Sequence, residues 1–129
     1  MPITAALYAG LLGLVAIGVA FAAGRLRGRL NVSVGDGGHP ALLCAMRRHA
    51  NFAEWVPLTL ILIALLELNG VPARGIHWLG SVLVASRVLH AVGLKPDTMK
   101  SLPRFAGAAG TVLVTMVSSI WLIMLYVRH

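Results

Sequence analysis

Four stretches of the chain carry almost only apolar and small residues, and short polar segments separate them. The first, residues 3–23, contains no charge and matches the roughly 20 residues a helix needs to cross a bilayer. The second, 41–68, changes character halfway. Arg47, Arg48, His49, Asn51 and Glu54 crowd its first half, and the rest is largely apolar, with Pro57 expected to kink it. The third, 75–94, carries Arg87 and His90. The fourth, 102–127, holds only small polar side chains after Arg104, with Ser101 expected to cap it and Pro103 in its first turn. This pattern predicts an all-α, integral membrane four-helix bundle that forms a single domain over residues 1–129.

An Ala20-Phe21-Ala22 triplet imitates a signal-peptidase site, but no Lys or Arg precedes the first apolar run. That run also exceeds the roughly 7–15 residues of a signal core. Arg25, Arg27 and Arg29 follow it, so it reads as a retained helix. The glycines of the first helix (Gly10, Gly13, Gly18) predict close contact with neighbouring helices. Residues 24–40 read as a basic loop with a turn at Gly35-Asp36-Gly37-Gly38. No Gly-Lys-Ser/Thr follows it, so a nucleotide-binding loop is not supported.

Composition strengthens the membrane reading: 58% of residues are hydrophobic and 12% charged, where a soluble domain carries about 25% charged residues. The net charge of +7 would suggest nucleic acid on a soluble protein. Here the cations fall at helix ends or among the polar half-turns, and nucleic acid is not an expected partner. Arg25, Arg27, Arg29, Lys95, Lys100 and Arg104 gather on one side of the membrane; Arg74 and Arg128 stand on the other. The positive-inside rule then puts both termini on the periplasmic side and the basic segments in the cytoplasm. The single cysteine, Cys44, reads as a packing residue. No metal site is expected, and haem ligation by His49 and His90 is disfavoured by the arginines around them.

On a helical wheel Arg47, Asn51 and Glu54 form one stripe two turns long, and Arg87 and His90 share a face as i, i+3 neighbours. Charge within a bilayer is costly, so these groups should face the bundle interior and pair. One carboxylate, Glu54, against Arg47, Arg48, Arg87 and Arg104 leaves a positive surplus suited to a carboxylate-bearing ligand. The plainer reading is a structural ion network with interfacial arginines on membrane lipid phosphates.

The run Arg47-Arg48-His49-Ala50-Asn51-Phe52-Ala53-Glu54-Trp55-Val56-Pro57 resembles the second-helix signature of the MAPEG family, the membrane-associated proteins in eicosanoid and glutathione metabolism. Arg-x-x-His at Arg87/His90, the arginine entering the fourth helix and the Gly35–Gly38 turn extend the likeness toward the small bacterial branch. The resemblance implies a homotrimer in a bacterial inner membrane, with glutathione as co-substrate at subunit interfaces facing the cytoplasm. Arg47, Arg48, Asn51, Glu54, Arg87 and His90 would contact the tripeptide, with Arg29 or a neighbouring arginine from the first loop. Arg104 would be catalytic, steadying the thiolate beside a helix N-terminus. The implied activity is glutathione transferase or peroxidase chemistry on a hydrophobic small-molecule or lipid substrate, in a detoxification role. The alternative is a non-catalytic member that binds glutathione or a lipophile. Leu94 stands where well-studied members often have a tyrosine, and Phe105 where the prostaglandin isomerases have a serine, which argues against eicosanoid substrates. A small proton-coupled exporter would need a carboxylate in the first helix, which has none.

Overall fold

The computed structural model describes residues 1–98 and 100–128. It contains four helices, α1 (Ile3–Leu30), α2 (Pro40–Leu68), α3 (Ala73–Gly93) and α4 (Leu102–Val127). Each is long and apolar enough to cross a membrane. The helices pack as a bundle in which α3 and α4 make the most extensive pair; α2 touches all three others, while α1 and α4 do not meet among the described residues. The core is apolar, built on Leu12, Ile63, Leu66, Ile76, Leu83 and Val114. The outside is apolar too, with Leu14, Phe21, Leu58, Ile123 and many others exposed. A hydrophobic exterior over a hydrophobic core is the arrangement lipid requires.

The first helix is longer than the apolar pattern predicts. It runs to Leu30, so Arg25, Arg27 and Arg29 lie on its last turns and not in a loop. At 1.5 Å per residue its 28 residues span about 42 Å, more than the roughly 30 Å of hydrocarbon, and the arginine turns continue past the apolar layer. Asn31 ends the helix in the left-handed conformation at φ 54°, and its N–H bonds the Arg27 carbonyl. The Arg27 guanidinium then folds over the connection, donating to the carbonyls of Ser33 (3.3 Å) and Gly35 (2.9 Å) and contacting Met46 Sδ at 3.3 Å. The Gly35–Gly38 segment is a turn, with positive φ at Gly35, Gly37 and Gly38 and Asp36 Oδ1 accepting from the Gly38 N–H.

Small residues set the closest helix approaches, although not those of the first helix. A Cβ added at Gly93 would strike the backbone of Pro103 and Arg104; one at Gly107 would strike the Ser86 carbonyl and His90. Gly80 leaves room for the ring of Tyr8. By contrast Gly10, Gly13 and Gly18 have nothing near them within the chain, so the packing expected of them is not made inside the bundle. Hydroxyls supplement the small residues between α2 and α4, where Thr59 and Thr115 meet at 2.7 Å.

Pro57 sits inside an otherwise continuous α2. Ser101 occupies the N-cap position of α4 but makes no side-chain cap; its carbonyl accepts from the Phe105 N–H instead. The N-terminus of α1 is satisfied from elsewhere. Glu67, near the end of α2, accepts from the N–H groups of Thr4 (2.9 Å) and Ala5 (2.7 Å). This gives a negative group to the positive end of the α1 dipole.

Gly107→Leu should lower the stability of the detergent-solubilised protein by at least about 1–3 kcal/mol, because backbone and not a flexible side chain blocks the new atoms. Glu67→Ala should cost about 1–3 kcal/mol by leaving two donors unmet. Thermal denaturation of each variant beside the native chain measures both.

Candidate functional site

The arginine-rich end of the bundle comprises the start of α2, the end of α3 and the start of α4. Arg87 is its centre. It is 2% exposed, lies on the α3 face turned toward α2 and α4, and is the largest fully buried side chain of the protein. One terminal nitrogen, Nη2, donates to Asn51 Oδ1 at 2.8 Å; Nη1 lies 3.4 Å from the Thr111 hydroxyl. The guanidinium also stands over the ring of Phe52 at 5.5 Å, a cation–π contact of the kind that favours Arg in desolvated surroundings. Its Nε has no partner.

His90 lies one turn further along α3, 5% exposed, with Nδ1 unpartnered. Arg87, Arg104 and Arg48 all stand close enough to act electrostatically on its imidazole. Arg48 reaches across to the end of α3, where its Nε donates to the Leu94 carbonyl at 2.9 Å and its Nη2 contacts the same oxygen. Cys44 Sγ lies 3.3 Å from that oxygen as well. A cation at a helix C-terminus is favourably placed against the dipole, and here it fixes α2 to α3. Arg104 is half-buried on the first turn of α4, its backbone pressed against Gly93. It lines an open cleft of about 610 Å³ with Lys100, Ser101, Leu102, Phe105 and Ala108.

The structure therefore divides the predicted residues into two groups. Asn51, Arg87, His90, Arg48 and Arg104 converge in or beside the interior. Arg47 and Glu54 share the α2 stripe with Asn51 but are exposed on the outside of the chain. The expectation that Glu54 would pair with the arginines is not met inside one chain: Asn51, and not the carboxylate, receives Arg87. The reason is angular, since Asn51 lies at the inner edge of the stripe and the other two at its outer edge. Arg29 is exposed on the last turn of α1, and Arg27 is the arginine of that segment engaged with the connection to α2. His49 is exposed and stands apart from His90. Among the described residues no group of three or more His, Cys, Asp or Glu could hold a metal ion.

Two features lay outside the reach of the sequence patterns. One is the Arg48–Leu94 carbonyl contact, because a main-chain acceptor leaves no mark on side-chain spacing. The other is a polar cluster at the opposite end, where the Tyr8 hydroxyl lies 2.8 Å from His77 Nδ1 and 2.9 Å from Ser81 Oγ. The i, i+4 spacing of His77 and Ser81 was a visible signal for it; the partner on α1 was not.

No solved structure matches the chain significantly. The chain is similar to inner membrane protein YecN of Escherichia coli K12, with 33% identity over 119 residues, covering 90% of this chain and 89% of the relative. The YecN of Escherichia coli O6:H1 matches to the same extent. The family model of MAPEG matches residues 5–124, which takes in all of the Arg47–Pro57 signature, the Arg87/His90 pair and Arg104. With nearly its full length so matched, the chain belongs to the MAPEG family.

Proposed function

We propose that the protein is a glutathione-dependent transferase or peroxidase of a bacterial inner membrane, working as a homotrimer on hydrophobic electrophiles. The observation that carries this reading is the gathering of Arg48, Arg87 and Arg104 at one end of the bundle, with no carboxylate in its interior among the described residues. Such a surplus suits a ligand bearing carboxylates, and glutathione has two.

The homotrimer is what the family resemblance implies, and the exposed α2 stripe supports association of copies. Arg47 and Glu54 stand on the outer face of a membrane helix. Charges facing lipid within the membrane layer are disfavoured, Glu54 at mid-helix more than Arg47 near the helix start. Copies of the chain covering that face would bury the stripe and let it reach a ligand held between subunits. Glu54 would accept from the glutamyl ammonium and Arg47 would hold a carboxylate. Arg87 holds the Asn51 amide, so it would act on the ligand chiefly by orienting that group. Arg29 and Arg48 would add positive charge at the rim. With the arginine-rich end in the cytoplasm and both termini in the periplasm, as the positive-inside rule expects, the site would face the cytoplasm.

Arg104 carries the chemistry in this reading. A free thiol with a pKa of about 8.5 is mostly protonated at neutral pH, and a fixed cation at a helix N-terminus favours the thiolate. The cleft beside Arg104, with exposed Leu102 and Phe105, opens on the apolar exterior and suits a substrate arriving through the bilayer. The thiolate sulfur would attack an electrophilic carbon, and the leaving group would depart with the bonding pair.

Arg104→Ala should reduce conjugation of glutathione to an aryl halide by about 10²-fold or more while glutathione affinity changes little, a loss confined to the reacting state. Equal activity in the two proteins would remove Arg104 from the mechanism. If native protein binds glutathione with neither thiolate absorbance nor conjugation, it is a binding member of the family. Sedimentation in detergent should give three chains per particle. Glu54→Ala should weaken glutathione binding about 10-fold or more, the loss expected when a charged hydrogen bond is removed; unchanged affinity would take Glu54 out of the site.

A further inference from the structure

At the end of the bundle opposite the arginine cluster, one face of α3 carries Arg74, His77, Trp78 and Ser81 in the i, i+3, i+4, i+7 spacing of a single helical stripe. These four residues line an open cleft of about 420 Å³. The cleft is braced from behind. The Tyr8 ring is buried against Gly80, where any side chain would overlap it, and meets the His77 ring edge-to-face with centroids 5.7 Å apart. Its hydroxyl is fixed between His77 Nδ1 and Ser81 Oγ.

That arrangement leaves one neutral donor for the cleft. A phenol donating to Nδ1 leaves the imidazole proton on Nε2 and takes the Ser81 proton onto its own oxygen, whereas a phenol accepting from Nδ1–H donates to Ser81 and leaves the Ser81 proton free. In either case the cleft offers one neutral donor, His77 Nε2–H or Ser81 O–H, beside the guanidinium of Arg74. No carboxylate is among the lining residues, and Glu67, the acid at this end of α2, is held by the α1 backbone. A cleft with a fixed cation, a neutral donor and no carboxylate selects an anion. Arg74 lies on the first turn of a membrane-crossing helix, and Trp78, one turn later, is 71% exposed. An exposed tryptophan one turn inside a cationic helix start marks the boundary of headgroups and acyl chains. The anion available at that depth, with an apolar tail to lie along Trp78, is a phospholipid.

The geometry points to a binding site for the headgroup phosphate of an anionic phospholipid, formed by Arg74, His77 and Ser81 with Tyr8 as its brace and Trp78 against the acyl chain. It is separate from the glutathione site proposed above and stands without it.

The test uses full-length protein in phosphatidylcholine vesicles containing a minority of phosphatidylglycerol with brominated chains. Trp55→Phe and Trp121→Phe leave Trp78 as the only tryptophan. Its quenching should report phosphatidylglycerol enriched about fivefold over the bulk, the selectivity one arginine supplies at a membrane surface. Arg74→Gln should return quenching to that of random mixing, and Tyr8→Phe should lose part of the excess. Arg25→Gln, at the other end, should leave it unchanged. Random quenching in the reporter protein, or full excess in Arg74→Gln, overturns the proposal. So does inorganic phosphate displacing the lipid, which would make this a soluble-anion site. A Trp78 that brominated lipid cannot reach also overturns it, because another chain would then cover the face. Should the double tryptophan variant not fold, native mass spectrometry of the otherwise unaltered chain decides the same question. Arg74→Gln should then retain less phosphatidylglycerol than native protein, and equal retention counts against the site.

Discussion

A guanidinium buried in an apolar bundle has to be met by fixed acceptors and polarisable neighbours, since hydrocarbon offers none. The hydrogen bond from Arg87 to Asn51, with Phe52 beneath the charge, does this and orders the arginine-rich end. It joins α3 to α2 and turns Asn51 inward. Thr111 brings α4 toward the same guanidinium, at a distance allowed by Gly107 one turn earlier. His90 and Arg104 then come together because Gly93 and Gly107 let α4 press against α3. Remove the acceptor and a charge is left uncompensated inside the membrane layer, which the fold could relieve only by separating helices.

Most of the architecture was legible in the order of apolar and polar residues. Spans of about 20 uncharged residues have one stable state in lipid, so the number and type of elements followed directly. The end of α1 escapes the same pattern for a related reason. Hydropathy registers where lipid stops, and a helix made of Arg, Leu and Gly continues into water until Asn31 turns it. Ser101 has the residue type of a cap and the right position, yet its hydroxyl does not cap. Composition cannot specify a rotamer.

The candidate site was legible as a set of residues but not as a geometry. Wheel positions put Arg47, Asn51 and Glu54 on one stripe, which is correct, but a stripe about 60° wide can straddle the border between inside and outside. Only the packing of α3 and α4 shows that the border falls between Asn51 and the other two. Glu67 and Tyr8 were silent for a different reason. Their partners are backbone donors of another helix and side chains about 70 positions away, and spacing along one helix carries no record of either.

The carboxylate of Glu67 lies on the second helix but completes the start of the first. The leading turn of α1 is therefore finished by a residue of another helix. Its partner lies about 60 residues later in the chain, so α1 and α2 complete each other as an antiparallel pair.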